Sequence, residues 1–183
     1  MHPILIKIGP LTIHTYGVLI AAGFLLGLAL AVRQAKKQGI PSDKIVDLAF
    51  YMLIAAIIGS RLFFVLVEAG HFLRNPLDIF KIWEGGLVFY GGVIFVIPVA
   101  VWYAKKKGLD IRSAADIFAP SLAIGHAIGR LGCFSAGCCY GKHAEGYPLA
   151  VTFLDPESLA RIGVPLHPTQ LYESAGEFIN FLI

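Results

Sequence analysis

The stretch TYGVLIAAGFLLGLALAV, residues 15–32, contains no charged side chain. Residues 85–104 form a second run without charge. An α-helix needs about 20 apolar residues to cross the hydrocarbon core of a bilayer, and each run has close to that length. The two runs therefore predict transmembrane helices, and they decide the fold class.

The composition agrees with a lipid environment. Hydrophobic residues make up 57% of the chain and charged residues only 15%, whereas a soluble domain carries about 25% charged residues. The net charge is +3, but the basic residues are divided among several loops instead of forming the single patch or stripe that binds nucleic acid. We therefore expect the lipid bilayer as a partner and no nucleic acid.

Three further stretches complete the predicted bundle. Two of them are interrupted by an arginine, Arg61 and Arg130. The last begins at His167-Pro168, because proline suits the first helical turn, and we expect this helix to be incomplete at Ile183. The sequence thus predicts an all-α, polytopic transmembrane helix bundle that forms a single membrane domain over residues 1–183. Its spans are predicted at about residues 14–32, 45–68, 85–104, 113–134 and 168–183.

The distribution of lysine and arginine predicts the orientation. Short cytoplasmic loops of membrane proteins carry an excess of these residues. The segments 33–44 and 105–112 hold such clusters, so both are expected on the cytoplasmic side and the N-terminus on the outer side. The first basic cluster follows the first apolar run, whereas a cleavable signal peptide has its cluster in front. We therefore expect the first span to be retained.

Two segments are expected on the outer side. Asn75-Pro76 predicts the start of a short helix lying in the membrane interface, with a loop of scattered hydrophobic residues as the alternative. Its apolar face would comprise Phe72, Leu73, Leu77, Phe80 and Trp83. Residues 135–166 form a long loop, rich in Gly and Pro, that we expect to cover or gate a site.

Polar groups in the predicted spans indicate a site inside the bundle. An arginine at membrane depth costs at least ~2.5–3.5 kcal/mol and therefore normally faces the bundle interior or a polar cavity. Arg130 follows His126 by four residues, which places both on one helical face. An anion-binding site at Arg130 is the preferred interpretation, and the alternative is an ion pair with a carboxylate, Asp116, Glu173 or Glu177. His126 is interpreted as a packing histidine.

Other features of the spans are less specific. For Arg61 a structural ion pair with Glu68, on the same helix, is preferred. Gly125 and Gly129 form a small-xxx-small pair that allows another backbone to approach closely. His14 and Tyr16 open the first span, where interfacial aromatic residues are common in any case.

The cysteines permit three interpretations. Cys133, Cys138 and Cys139 have the spacing C-x4-C-C, with His143 four residues later, which is similar to a three-cysteine, one-histidine zinc set. A disulfide between Cys133 and Cys138 is favoured over zinc, because the outer side of an inner membrane is oxidising. Packed or free thiols are the default, and we expect no metal and no cofactor.

Six motifs in one order resemble the prolipoprotein diacylglyceryl transferase family. They are IGPLTIHTYG at 8–17, GSR at 59–61, IWEGGLVFYGG at 82–92, DIFAP at 116–120, GRLGCF at 129–134 and HPTQLYES at 167–174. The resemblance implies a multi-pass enzyme of the bacterial inner membrane with a periplasmic N-terminus. It also implies transfer of the diacylglyceryl group from phosphatidylglycerol to the lipobox cysteine thiol of a prolipoprotein signal peptide, with release of glycerol phosphate.

The resemblance also implies site residues. Arg130 matches the family's essential signature arginine, Tyr16 the tyrosine of the first motif and Glu173 the acid of the last. Gly129, Gly132 and Asp116 also fall on family positions. These three residues are expected to bind substrate together with Arg130, Glu173 and Arg61.

Two departures from the family pattern leave thiol activation open. Tyr90 stands where the family commonly has a histidine, and a phenol with a pKa near ~10 is a poor base. Tyr90 is therefore expected to orient the phosphate, with His14 as the alternative base. Cys133, Ala136 and Cys138 replace the signature's asparagine, asparagine and glutamate. A membrane transporter, or an inactive relative with a thiol-based role, remains the alternative to the enzyme.

Overall fold

The computed structural model describes residues 2–9, 11–82 and 85–183. Within these residues, three helices are long and apolar enough to cross a membrane: α1 (Thr15–Lys37), α2 (Ser42–Val67) and α5 (Ile111–Ala136). They confirm the all-α bundle and coincide with the first, second and fourth predicted spans. The remaining helices are α3 (Ala69–Phe72), a 3-10 helix (Pro76–Phe80), α4 (Phe89–Lys107) and α6 (Thr169–Leu182).

The predicted third and fifth spans are helical too, as α4 and α6, but neither is among the three helices that are long and apolar enough to cross a membrane. Helix α4 begins at Phe89, four residues later than the predicted start. The cause is local, because Gly85 and Gly86 have φ values of 87° and 75°, which a right-handed helix does not allow. Helix α6 follows Pro168 directly, close to the predicted start, and has 14 residues.

The chain divides into two compact units. One comprises Met1–Arg33 and Ile117–Ile183, and the other comprises Gln34–Asp116. A single membrane domain over residues 1–183 stays a prediction.

The first unit opens with a β-hairpin that the sequence analysis missed. Strand β1 (Ile4–Ile8) pairs antiparallel with β2 (Leu11–His14), with Ile6 opposite Ile13. Gly9 in the connection has a φ of 59°, which glycine adopts without steric cost. The signal was the alternation of isoleucines before a Gly-Pro dipeptide.

Small residues bring α1 and α5 together in the same unit. A Cβ built on Gly23 would lie 2.9 Å from the carbonyl oxygen of Gly125, and one on Gly27 would lie 2.9 Å from that of Ser121. Such close approach of backbones is how small residues stabilise helix pairs in membranes. The predicted packing role of Gly125 is therefore confirmed, with α1 as its partner.

The segment after α5 has a folded core of its own. Strands β3 (Val151–Thr152) and β4 (Pro165–Leu166) pair antiparallel. Phe153 and Leu166, each 2% exposed, form a cluster with Ala160. This packing gives the predicted loop a defined shape, while its role in covering or gating a site stays a prediction.

The second unit is built on α2 and α4. Gly92 of α4 approaches Ser60 so closely that a Cβ on the glycine would lie 2.6 Å from the serine Oγ. At the other end, the buried Tyr103 donates a hydrogen bond of 3.2 Å to the Asp47 carboxylate. These contacts hold the two helices side by side.

The predicted short helix before α4 is present as the 3-10 helix. It begins at Pro76, directly after Asn75, which confirms the predicted start. Leu73, Leu77 and Phe80 are exposed, as an interfacial helix requires. The expectation for Phe72 was wrong, because its ring is only 5% exposed and packs against Phe64. Trp83 lies outside the described residues.

Candidate active site

Helix α6 carries a polar stripe that faces α5. Its members follow the spacing i, i+3, i+4, i+7, which places them on one face. Each is bonded to α5 or to the two residues beyond its end: Gln170 to Cys138, Glu173 to Arg130, Ser174 to Ala127 and Glu177 to His126. This stripe is the main signal that sequence reasoning overlooked, because only Glu173 and Glu177 were considered.

The central contact is the ion pair between Arg130 and Glu173. The Arg130 side chain is 15% exposed, whereas that of Glu173 is 48% exposed. Of the two readings of Arg130, the ion pair with a carboxylate is therefore formed. The Nε atom of Arg130 is buried and has no hydrogen-bond partner among the described residues.

Two neighbouring contacts set the register of α6 on α5. One carboxylate oxygen of Glu177 lies 3.2 Å from Nδ1 of His126. The buried Ser174 hydroxyl donates a hydrogen bond of 2.8 Å to the carbonyl of Ala127. His126 thus has a specific partner, but its side chain is 51% exposed, so its interpretation as a packing residue was wrong.

The three cysteines lie beside Arg130. Nη1 of Arg130 is 3.9 Å from Sγ of Cys133, and the Sγ atoms of Cys133, Cys138 and Cys139 all lie within 4.8 Å of one another. All three are free thiols in the structure. His143 is not part of this group; its backbone forms an isolated bridge with Leu166.

The residues that begin α6 position the cysteine pair. Thr169 Oγ1 donates a hydrogen bond of 2.8 Å to the carbonyl of Cys139, and Gln170 Nε2 donates one of 2.5 Å to that of Cys138. Gln170 has no exposed surface. The HPTQ part of the last motif therefore holds the chain that follows α5.

Helix α1 brings Tyr16 to the same end of α5. A Cβ built on Gly132 would lie 3.3 Å from the Tyr16 ring, and one on Gly129 would lie 3.3 Å from Cδ1 of Ile20. Both glycines therefore have a packing function, whatever they contribute to substrate binding. Tyr16 is 42% exposed. His14 is the exposed last residue of β2, directly before α1.

Two other predicted site residues belong to the second unit. Asp116 is exposed and precedes Arg130 by fourteen residues in α5, so it is not the partner of Arg130. Tyr90 is the second residue of α4, is 73% exposed and packs edge-on against Phe89 with ring centroids 5.8 Å apart. Their assignment to the site stays a prediction.

Arg61 has a different environment from Arg130. Its five N–H groups donate five hydrogen bonds of 2.5–3.2 Å to backbone carbonyls. The acceptors are Asp78, Ile79, Lys81, Gly85 and Gly86. The interpretation of Arg61 as the ion-pair partner of Glu68 was therefore wrong in the partner, although right in assigning a structural role. A role for Arg61 in substrate binding stays a prediction.

Charged side chains also stabilise the segment that Arg61 binds. The Asp78 carboxylate lies 2.7 Å from Nζ of Lys81 and 3.2 Å from Nε2 of His71. The hydrogen bond from Lys81 holds the pKa of Asp78 below its ordinary value. These pairs are partly exposed, so they order the 3-10 helix more than they stabilise the whole fold.

The described residues thus define a class: a helical membrane protein with a guanidinium, a carboxylate and a thiol cluster at one end of a spanning helix. The model of the prolipoprotein diacylglyceryl transferase family matches residues 3–183. The chain therefore belongs to the prolipoprotein diacylglyceryl transferase family. This result confirms the resemblance seen in the six motifs and the prediction of a transferase.

Several relatives named phosphatidylglycerol--prolipoprotein diacylglyceryl transferase match nearly the whole chain. The protein of Bacillus velezensis is 37% identical over 191 residues, covering 100% of this chain and 69% of the relative. That of Clostridium tetani is 36% identical over 179 residues, covering 98% and 71%. That of Bordetella bronchiseptica is 41% identical over 175 residues, covering 93% and 65%.

Proposed function

We propose that this chain transfers the diacylglyceryl group of phosphatidylglycerol to the lipobox cysteine thiol of a prolipoprotein signal peptide. The products are a thioether on the prolipoprotein and glycerol phosphate. The reaction takes place at the outer face of the bacterial inner membrane, with the N-terminus on that side. Family membership supports the reaction, and the single structural observation that carries it is the environment of Arg130.

Arg130 suits the departing phosphate. Negative charge develops on the phosphate oxygen as the carbon–oxygen bond breaks, and a fixed guanidinium in a low-dielectric site stabilises that charge far more than it would in water. A guanidinium also binds phosphate through two parallel hydrogen bonds. The partly buried side chain of Arg130 agrees with this function.

Glu173 has a supporting role. Its carboxylate neutralises Arg130 while no substrate is bound, which lowers the cost of keeping the guanidinium in the bundle. Because Glu173 is 48% exposed, an incoming phosphate can share or replace it without crossing a sealed core. Tyr16 packs on Gly132, two residues after Arg130 in α5, and its place in the family's first motif supports contact with the same substrate.

Tyr90, His14, Asp116 and Arg61 enter the proposal through the family positions and their chemistry. Tyr90 orients the phosphate by hydrogen bonding, and His14 is the alternative base. Phenylalanine at position 90 is expected to lower the transfer rate more than histidine does. Equal rates for tyrosine, phenylalanine and histidine at this position would remove its polar group from the mechanism.

Complementation of a conditional transferase mutant tests the proposal. The full-length wild-type gene is expected to restore growth, and Arg130→Ala is expected to abolish it. The matched control is Arg112→Ala, since Arg112 lies on the same helix but is exposed in its first turn. Transfer from labelled phosphatidylglycerol to a lipobox peptide should follow the same order.

The result that would overturn the proposal is equally direct. Growth and transfer that survive Arg130→Ala as well as they survive Arg112→Ala would exclude the guanidinium from the reaction. Failure of the wild-type gene to restore growth, with the protein present in the membrane, would contradict the activity itself.

A further inference from the structure

We propose that Cys133, Cys138 and Cys139 bind one thiophilic divalent cation, for which zinc is the best match, and that its open fourth position takes the thiolate of the substrate cysteine. This inference rests on the proposed function for its second half. It revises the expectation of no metal, because the spacing alone did not show that the three sulfur atoms converge.

The distances fit a thiolate site. Zinc binds cysteine sulfur at about 2.3 Å, so the sulfur atoms of a tetrahedral site lie about 3.8 Å apart. The three Sγ atoms are already within 4.8 Å of one another. A shift of about 1 Å at most closes the site, and a cysteine side chain supplies that by rotation about a single torsion.

The backbone around the cluster is fixed in advance. Cys139 has a φ of 59° and is the one non-glycine residue with positive φ in the described part of the chain. Such a conformation costs about 1–3 kcal/mol and persists only where its surroundings enforce it, typically at ligand sites. Here Thr169 and Gln170 enforce it through hydrogen bonds to the carbonyls of Cys139 and Cys138.

The local charge also fits. Three thiolates and a divalent cation leave one negative charge, and the guanidinium of Arg130, whose Nη1 lies 3.9 Å from Sγ of Cys133, offsets part of it while also pairing with Glu173. The site is also reachable, since Cys139 is exposed and the other two cysteines are half-buried. Three protein ligands with one open position characterise catalytic zinc sites, whereas structural sites have four.

The cation would supply the thiol activation that Tyr90 leaves open. A thiol that coordinates zinc loses its proton outright, and the proton passes to solvent. The bound thiolate attacks the glycerol carbon that carries the phosphate ester. The sulfur–carbon bond forms as the carbon–oxygen bond breaks, and the electron pair leaves on the phosphate oxygen next to Arg130. The step needs no oxidant or reductant.

Metal analysis of the purified full chain tests the site without measuring activity. We expect one zinc ion per chain by mass spectrometry of the metal, and a sulfur-to-metal charge-transfer band after exchange with cobalt(II). Serine at position 133, 138 or 139 should lower the zinc content and remove the band. The control is Ser135→Ala, because the Ser135 hydroxyl only bonds the Leu131 carbonyl within the helix.

The outcomes separate the metal site from the proposed function. Three reactive thiols with no bound zinc or cobalt, or a disulfide between two of them, would overturn the site. If the triple serine variant loses zinc but transfers diacylglyceryl at the wild-type rate, the activation role is wrong while the proposed function stands. Zinc binding together with a loss of transfer that is specific to the cysteine variants supports both halves.

Discussion

Gly59 of α2 and Gly91 of α4 pack backbone against backbone, because a Cβ built on either glycine would lie 2.5 Å from the carbonyl oxygen of the other. No side chain larger than hydrogen fits at this crossing without moving a helix. Phe63 and Phe95 flank the contact, since each ring lies over the opposite glycine. The packing of α2 against α4 therefore requires glycine, with only a hydrogen atom as side chain, at both positions.

Alanine at position 59 or 91 is expected to lower the free energy of unfolding by about 1–3 kcal/mol, the usual cost of overpacking. Gly176→Ala is the matched control, because a Cβ there meets no atom within 4 Å. Unfolding by denaturing detergent, followed by circular dichroism in micelles, measures the difference. Equal midpoints for Gly59→Ala and Gly176→Ala would show that the two helices separate easily.

Arg61 is expected to act as a structural clamp, because its hydrogen bonds hold the 3-10 helix and the residues after it against α2. Arg61→Ala removes a donor from five carbonyls, of which that of Asp78 keeps the Lys81 N–H, and Arg61→Lys replaces five N–H donors by three. We expect a loss of at least ~2 kcal/mol for lysine and more for alanine, since unsatisfied buried groups each cost about 1–3 kcal/mol. Hydrogen exchange in the 3-10 helix should accelerate in both variants. Arg74→Ala, at an exposed position, should change neither quantity, and unchanged exchange in Arg61→Lys would refute the clamp.

Glu173→Gln is expected to lower the transfer rate by at least about tenfold, because small misplacement of a catalytic group has large effects on rate. Its effect on stability should be smaller than its effect on rate, because the Glu173 side of the ion pair is 48% exposed and glutamine keeps an acceptor for Arg130. Glu177→Gln is the control on the same helix face, where the carboxylate contacts His126 instead. Initial rates with a lipobox peptide compare the two, and equal losses would mean that Glu173 acts only through helix packing.

Asp110 makes the stability of α5 depend on pH. Its carboxylate accepts hydrogen bonds of 2.9 Å from the backbone N–H and the hydroxyl of Ser113. The backbone hydrogen bond holds the pKa of Asp110 below its ordinary value. The contribution is therefore present above the unfolded pKa of about 3.9 and is lost as pH falls through the lower folded pKa.

Two variants at this position separate the charge from the hydrogen bond. Asp110→Asn keeps a hydrogen-bond acceptor but cannot titrate, so its melting temperature should fall less than that of the wild type as the pH is lowered. Asp110→Ala removes the acceptor and should lower the melting temperature already at neutral pH. Thermal unfolding in detergent over the acid range measures both. A decrease of melting temperature at low pH that is as steep in Asp110→Asn as in the wild type would assign the pH dependence to other carboxylates.

The helices followed from local pattern, and the deviations have local causes. Residues 15–32 form the N-terminal part of α1, from its first residue onward, because no charge interrupts them. Helix α4 begins late because two glycines with positive φ precede it. The hairpin before α1 was missed because the alternation of its isoleucines was not considered. Such features depend on neighbours in the chain and are open to sequence reasoning.

The partners of Arg61 and Arg130 could not be predicted from the sequence. Three carboxylates were equally plausible for Arg130 by spacing, and the choice of Glu173 depends on how α6 lies along α5, which Ser174 and Gln170 help to set. Arg61 uses backbone carbonyls as acceptors. Every residue carries a carbonyl, so no residue type in the sequence marks such a partner.

The sequence by itself determined that this is a membrane protein, where its long helices run and which guanidinium merits attention, because hydrophobicity and helical spacing are local properties. Only the tertiary structure decided that Arg130 meets Glu173, that Arg61 holds carbonyls and that three cysteines converge beside the first of these. These results depend on contacts between segments distant in the chain, and such contacts follow from the packing of whole helices.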